Sequence, residues 1–249
     1  MSYKFVGEEI AFLVEDGRIV TLVWDFNLLP ISVFEWVDGL GIKKLAFMGK
    51  STAQLALRMP SLDRLYCSSI GLNELDLSAV PALTVLRCGD NQLDELDLSA
   101  VPALTSLSYN NNQLDELDLS AVPALTYLWC SSNQLAELDL SPVPALTSLS
   151  CDNNQLVELD LSAVPALNWL LCDNNQLVEL DLSAVPALTE LLCDNNRLVE
   201  LDLSTVPVLC ELSCCNNQLV ELDIRGLGHL WIFYCDPSIT LKKLPTQNF

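Results

Sequence analysis

The side chains best suited to chemistry in this sequence recur at intervals related to a 21-residue period. Asp152, Asp173 and Asp194 are three equally spaced carboxylates, the ligand type that hard cations such as calcium prefer. Trp129 and Trp169 carry aromatic rings of the kind that anchor protein interfaces or stack on sugars. What these groups can do depends on the elements that bring them together.

Those elements are set by a 21-residue unit that occurs seven times between Leu75 and Glu221. Units of about 20 to 50 residues are typical of solenoids, in which each unit buries its apolar side against its neighbours. One unit has the pattern L-x-x-L-x-C-x-x-N-x-L, given by Leu83, Leu86, Cys88, Asn91 and Leu93. Alternation predicts a short strand over residues 85–89, with positions 86 and 88 inward and positions 85, 87 and 89 outward. Asn91 and its equivalents are expected to bind the backbone groups of a buried turn, because an amide both donates and accepts hydrogen bonds.

The outward strand positions vary between repeats, whereas nearly every other position is constant. Strands about 4.8 Å apart would place Tyr127, Trp129, Trp169, Leu171 and Leu192 in one apolar and aromatic patch. A patch of this kind with a charged rim is typical of protein interfaces, although exposed aromatic residues can also simply favour strands. The predicted partner-contacting residues are Tyr66, Arg87, Tyr127, Trp129, Asp152, Trp169, Leu171, Asp173, Glu190, Leu192, Asp194 and Glu211.

The residues that enzymes and metal sites require are sparse. His229 is the single histidine, which excludes a histidine-dependent triad and a multi-histidine metal site. Gly49-Lys50-Ser51 looks like the end of a phosphate-binding loop, but Lys44 stands where the first glycine of that motif belongs. The aspartate series has no glycine-rich calcium loop. We therefore expect no enzyme activity, no cofactor and no metal.

The cysteines follow the same period. Eight of the ten share one repeat column: Cys67, Cys88, Cys130, Cys151, Cys172, Cys193, Cys214 and Cys235. A repeat position points the same way in every rung, so these cysteines are predicted to be small buried hydrophobes rather than disulfides. Reduced thiols, and a start that lacks a basic and then apolar leader, favour the cytoplasm.

The formal net charge of −21 disfavours nucleic acid and anionic membranes as partners. Much of this charge belongs to the repeat itself. Eight glutamates from Glu74 to Glu221 and eight aspartates from Asp76 to Asp223 form two constant columns, and they are predicted to lie on a solvated convex flank. No apolar stretch approaches the roughly 18 residues of a membrane-spanning helix.

Three regions are predicted along the chain. Residues 1–43 form an N-terminal cap with a hairpin turning at residues 15–18 and a short helix over residues 32–38. Residues 44–241 form a solenoid of about nine to ten rungs, and residues 242–249 are a C-terminal tail, with residues 241–245 closing the last rung. Prolines such as Pro102 favour an irregular return segment over a helix. The expected fold is mostly β and coil, with a parallel sheet on the concave face and an irregular convex side.

These motifs resemble the leucine-rich-repeat family, and they look most like the bacterial internalin-type 21-residue repeats that carry a cysteine ladder. The resemblance covers about residues 44–241. It implies a leucine-rich-repeat solenoid with a binding role, since the family serves as adhesins, effectors, inhibitors and receptors.

The first functional hypothesis is a non-enzymatic module that captures another protein with a basic surface on its concave face. Its specific form is a bacterial cytoplasmic inhibitor or immunity protein that neutralises a basic toxin or nuclease. This hypothesis resembles the cytosolic ribonuclease inhibitor, which is an acidic, cysteine-rich leucine-rich-repeat protein. The alternatives are a secreted effector or host-contact adhesin exported without a cleaved signal, a glycan- or calcium-binding module, and an engineered near-consensus scaffold.

Overall fold

The computed structural model describes residues 3–5, 10–15, 18–25, 41–49 and 54–245. The predicted helix over residues 32–38, the hairpin turn at residues 16–17, residues 50–51 and residues 246–249 lie outside the described residues. The chain divides into two compact units, residues 1–124 and residues 125–249. The described residues include no helix, and therefore none long and apolar enough to cross a membrane.

The first unit combines an antiparallel cap with the first parallel rungs. Its strands are β1 (Tyr3–Phe5), β2 (Ile10–Glu15), β3 (Arg18–Asp25), β4 (Lys44–Met48), β5 (Gln54–Ala56), β6 (Arg64–Tyr66), β7 (Glu74–Asp76), β8 (Val85–Arg87) and β9 (Ser106–Ser108). Strands β2 and β3 pair antiparallel, with Phe12 opposite Leu22, which confirms the predicted hairpin strands. From β3 onward the neighbours β4, β6, β8 and β9 pair in parallel. Strands β5 and β7 form a separate parallel pair.

The second unit consists of short parallel rungs. Its strands are β10 (Tyr127–Trp129), β11 (Ser148–Ser150), β12 (Trp169–Leu171), β13 (Glu190–Leu192), β14 (Glu211–Ser213), β15 (Glu221–Asp223), β16 (Ile232–Tyr234) and β17 (Thr240–Lys242). Strands β10, β11, β12, β13, β14 and β16 pair in this order, each parallel to the next. Strand β17 pairs with β15, away from that sheet, and this pair includes Leu241 and Lys242 of the predicted last rung. Both units are β solenoid with a parallel sheet, as the sequence predicts.

The inward column of each strand builds the core. On β11, Leu149 is completely buried, and Leu146 and Cys151 of the same rung are buried as well. Burying one leucine side chain contributes about 2 kcal/mol, so a stack of such columns stabilises the solenoid rung by rung. The strand ends earlier than predicted, at Arg87 rather than at residue 89. Position 89 is predicted to face outward, but Gly89 is buried, and a Cβ atom added there would lie only 3.0 Å from the carbonyl oxygen of Asn110.

The cysteine column is buried and reduced. All ten cysteines are free thiols, and the eight ladder positions are completely buried apart from the half-buried Cys235 at the C-terminal end. Each thiol in the middle of the ladder lies near the carbonyl oxygen of the next strand, as Cys193 Sγ does at 3.3 Å from the oxygen of Ser213. Burial raises the pKa of Cys130 to about 12, which keeps the thiol protonated and unreactive at neutral pH.

The asparagine column closes the turn after each strand. Asn154 Nδ2 donates to the carbonyl oxygens of Cys130 (3.1 Å) and Cys151 (3.0 Å), and its Oδ1 accepts from the amide of Leu135 (3.1 Å). The residue just before it, Asn153, has a φ of 55°, a left-handed conformation that asparagine tolerates better than most residues. The predicted role of the asparagines as partners of turn backbone is confirmed.

The constant aspartate column has a local structural role. The Oδ1 atom of Asp160 accepts a hydrogen bond from the amide of Ser162 at 2.8 Å, and the same contact recurs from rung to rung. This contact holds the pKa of Asp160 below its usual range, because it favours the charged carboxylate. The Asp-x-Ser spacing therefore builds the turn into the return segment, in addition to keeping the flank charged.

Candidate functional site

The outward face of the second unit's sheet is set by strict register. The first outward column runs through Tyr127, Ser148, Trp169, Glu190 and Glu211 on β10 to β14. The second column runs through Trp129, Ser150, Leu171, Leu192 and Ser213 on the same strands. Because the pairing never shifts in these strands, each side chain lies next to its equivalents in the neighbouring repeats.

Two tryptophans meet across β11. The ring centroids of Trp129 and Trp169 lie 6.3 Å apart with an interplanar angle of 52°, although one residue is on β10 and the other on β12. The intervening strand presents only Ser148 and Ser150, and both are buried. Small side chains on β11 thus leave room for the indoles to converge above it, in the tilted geometry that aromatic pairs favour. We call Tyr127, Trp129 and Trp169 the aromatic cluster.

The aromatic cluster is partly open. Tyr127 is 50% exposed and Trp169 is half-buried. Trp129 is also half-buried, and its shielded indole N–H makes no hydrogen bond with any described residue. Buried donors without a partner are uncommon in folded proteins, so this group is incompletely satisfied. Leu171 and Leu192 extend the cluster toward β13, and both are half-buried.

Two kinds of carboxylate border the aromatic cluster. Glu190 and Glu211 are neighbours on β13 and β14, and they form its acidic edge. The aspartates that follow the strands are engaged by adjacent rungs: Asp173 Oδ1 accepts from the amide of Asp194 at 2.6 Å, and Asp194 Oδ1 accepts from the amide of Cys215 at 2.6 Å. Asp152 accepts from the hydroxyl of Ser150 at 2.8 Å. These aspartates therefore brace the sheet, whereas the two glutamates remain on its outward face.

Asp173 has an unusual acidity. The pKa of its carboxyl is raised to about 6, mainly by burial; the hydrogen bond from the Asp194 amide opposes this shift, and the nearby charges of Asp194 and Asp152 contribute to it. The negative charge near the aromatic cluster consequently weakens as the pH falls below neutrality. In the described ranges, no group of three or more histidine, cysteine or acidic side chains is arranged to hold a metal ion.

Tyr66 and Arg87 form a separate cationic cluster in the first unit. Arg87 Cζ lies 5.5 Å from the centroid of the Tyr66 ring, and Lys44 Nζ lies 4.9 Å from the same centroid. Both distances are within the range of cation–π attraction. Arg64, on the same strand as Tyr66, forms an exposed ion pair with Asp63 at 3.4 Å. The predicted site residues therefore fall into two groups of opposite charge, one in each unit.

Sequence reasoning missed two features. The first is Tyr109, which stands in the cysteine column and is completely buried. The second is an exposed valine column, from Val157 to Val220, on the flank of the second unit. A signal was available for it, since the equivalent position holds Asp94, Asp115 and Ala136 in earlier repeats. Variation between repeats is thus not confined to the sheet face.

A scan against protein-family models and a search of curated proteins gave no match. Among solved structures, the functional domain of InlJ from Listeria monocytogenes, which includes a cysteine ladder, is similar with a TM-score of 0.74 and 30% identity. That match covers 88% of this chain and 54% of the other. The internalin InlF from Listeria monocytogenes has a TM-score of 0.73 and 21% identity over 81% of this chain and 63% of the other. YopM from Yersinia enterocolitica has a TM-score of 0.58 and 30% identity over 73% of this chain and 46% of the other.

The chain therefore spans between 46% and 63% of the length of these three proteins. The similarity to InlF concerns the fold, whereas InlJ also shares the cysteine ladder, represented here by completely buried positions such as Cys151 and Cys172. The parallel β solenoid of this chain agrees with both matches. The chain has a leucine-rich-repeat fold, and its cysteine-bearing repeats are similar to those of the internalin InlJ.

Proposed function

We propose that the chain is a protein-binding leucine-rich-repeat module that holds a partner on the outward face of the second unit's sheet. The observation that carries this proposal is the contact between Trp129 and Trp169 above two buried serines. The two indoles and the half-exposed Tyr127 offer a pre-ordered apolar surface. Binding to it would cost little side-chain entropy. Large aromatic side chains at the centre of an interface commonly supply most of its binding energy.

The charges beside the aromatic cluster favour a partner with a basic surface. Glu190 and Glu211 lie next to each other at the edge of the cluster, and the chain as a whole carries a net charge of −21. Opposite charges accelerate association and exclude acidic competitors. The preference for a basic partner applies to the second unit alone, because Lys44 and Arg87 around Tyr66 make the first unit's face cationic.

The specific role that we propose is a cytoplasmic inhibitor or immunity protein that neutralises a basic toxin or nuclease. The ten free cysteines support a reducing compartment, and the acidic edge of the aromatic cluster suits a basic target. Fractionation of the native cell tests the compartment: recovery outside the cytoplasm would contradict the inhibitor role and favour the exported effector or adhesin.

The binding surface is tested by affinity purification from the native cell, with wild-type protein and the W129A/W169A variant as baits. We expect the variant to lose the partner, since each anchor contributes about 2 kcal/mol or more. W231A is the matched control, because Trp231 is 70% exposed and lies outside the sheet strands. Equal recovery of the partner with wild type and W129A/W169A would refute the site.

A further inference from the structure

The flank of the second unit carries an exposed apolar column that the fold does not require. Val157, Val178, Val199 and Val220 are between 49% and 75% exposed. In earlier repeats the same position of an otherwise matching segment holds aspartate or alanine, and those residues are exposed as well. Since the framework accepts all three residue types, packing within the rung does not explain four consecutive valines.

A row of carboxylates runs directly beside these valines. Glu158, Glu179 and Glu200 are exposed and form no hydrogen bond or ion pair with any described residue. Rungs about 4.8 Å apart bring these like charges close together, which destabilises the row. The final member shows how such a charge can be balanced, because Glu221 Oε1 accepts a hydrogen bond from Lys242 Nζ at 2.7 Å. Lys242 belongs to β17, the strand that pairs with the Glu221 segment.

Two of the valines and the neighbouring glutamates border a groove on this flank. Two adjoining cavities of about 330 and 720 Å³ share Glu179 and Asp181 as lining residues. The larger cavity is lined by the buried Leu180 and Leu201 and by the exposed Val199 and Val220. The groove therefore combines an apolar surface with carboxylates from the glutamate and aspartate columns.

We propose that this groove docks a segment of a partner protein in which apolar residues alternate with lysine or arginine. The apolar side chains would cover the valine column, and the cations would pair with the Glu158, Glu179 and Glu200 carboxylates, as Lys242 pairs with Glu221. A second copy of the chain does not fit, because it would oppose one glutamate row to another and carries the same net charge of −21. The surface lies apart from the outward face of the sheet, so this docking is distinct from the proposed function.

The test uses a fluorescently labelled Val-Lys-Val-Lys-Val-Lys peptide, with Val-Glu-Val-Glu-Val-Glu as the control peptide, and measures anisotropy at low and physiological salt. We expect the lysine peptide alone to bind. The V178D/V199D variant should weaken binding about tenfold, because it removes apolar contact. This variant is expected to fold, since Asp94 and Asp115 already occupy the equivalent position. E179Q/E200Q should also weaken binding and reduce its salt dependence.

V178D/V199D adds two negative charges, which would strengthen a purely electrostatic attraction of the lysine peptide. Weaker binding by this variant would therefore show that the valines contribute apolar contact. Equal or tighter binding by V178D/V199D would overturn the proposal, and so would absence of binding to wild type. V178A/V199A, which imitates Ala136, should give an intermediate affinity. W129A/W169A should leave peptide binding unchanged. Partner recovery therefore tests the site on the sheet face, and peptide binding tests the groove, each independently of the other. Self-association of the wild type that V178D/V199D abolishes would make a second copy the occupant and would also overturn the proposal.

Discussion

Replacement of Asn154 by alanine tests the turn network that positions every rung. Asn154 is buried, and its side chain binds the carbonyl oxygens of Cys130 and Cys151 and the amide of Leu135. In the N154A variant the amide of Leu135 loses its side-chain partner, whereas the carbonyl oxygens of Cys130 and Cys151 still accept hydrogen bonds from Asn133 and Asn175. A buried polar group that loses its partner costs about 1–3 kcal/mol, so we expect a loss of about 2 kcal/mol in the free energy of unfolding.

The assay is urea denaturation followed by circular dichroism of the β signal. With a slope of about 3 kcal/mol per molar, the expected loss lowers the urea midpoint by about 0.7 M. N153G is the matched control, because Asn153 is exposed and glycine accepts its positive φ of 55°. We expect the control to lose less than about 1 kcal/mol. Similar midpoints for N154A and N153G would refute the account of the turn.

Three further outcomes follow from the buried groups. The pKa of Asp173 is raised to about 6, above its usual value of about 4 in the unfolded chain. Between about pH 4 and pH 6 the Asp173 carboxyl is therefore protonated in the folded state and ionised in the unfolded state. Stability should therefore fall as the pH rises through this window, and D173N should lose that part of the pH dependence; parallel urea-midpoint profiles would contradict the assignment. In native protein, a thiol reagent should react rapidly only with the half-buried Cys210, Cys215 and Cys235, while the seven buried thiols react after unfolding; rapid native labelling of all ten would contradict the buried ladder. Y109C should destabilise the protein by about 3 kcal/mol despite restoring the common ladder residue, because the buried ring leaves a cavity; an equal or higher unfolding midpoint would contradict this packing.

Periodicity explains why the core was predictable. A residue such as Leu149 or Cys151 has equivalents above and below it, so one repeat reports the environment of all the others. The same logic predicts the asparagine contacts, because each turn presents the same backbone groups to its amide. Fold class, strand direction and the identity of the ladder residues therefore follow from one alignment of the repeats.

The candidate site depends on differences between repeats, and these were harder to predict. The contact between Trp129 and Trp169 crosses a strand, and it exists because Ser148 and Ser150 are small. Alignment of the repeats predicts that both tryptophans belong to one patch, but it places them in different columns and so does not predict their direct contact. The carboxylate of Asp194 accepts a hydrogen bond from the Cys215 amide of the next rung. The sequence does not reveal this contact, because it depends on the position of that amide. Tyr66 and Arg87 are predicted to contact a partner as well, and their cluster with Lys44 in the first unit depends on cation–π contacts that alignment of the repeats does not reveal.

The central claim is that the aromatic cluster on the second unit's sheet holds a protein partner. The most direct measurement is the amount of partner recovered by affinity purification from the native cell with equal amounts of folded wild type, W129A/W169A and W231A. We predict that wild type and W231A recover the same partner and that W129A/W169A recovers at most about one hundredth as much at limiting concentration. Undiminished recovery by W129A/W169A, or a loss as large for W231A, would contradict the claim.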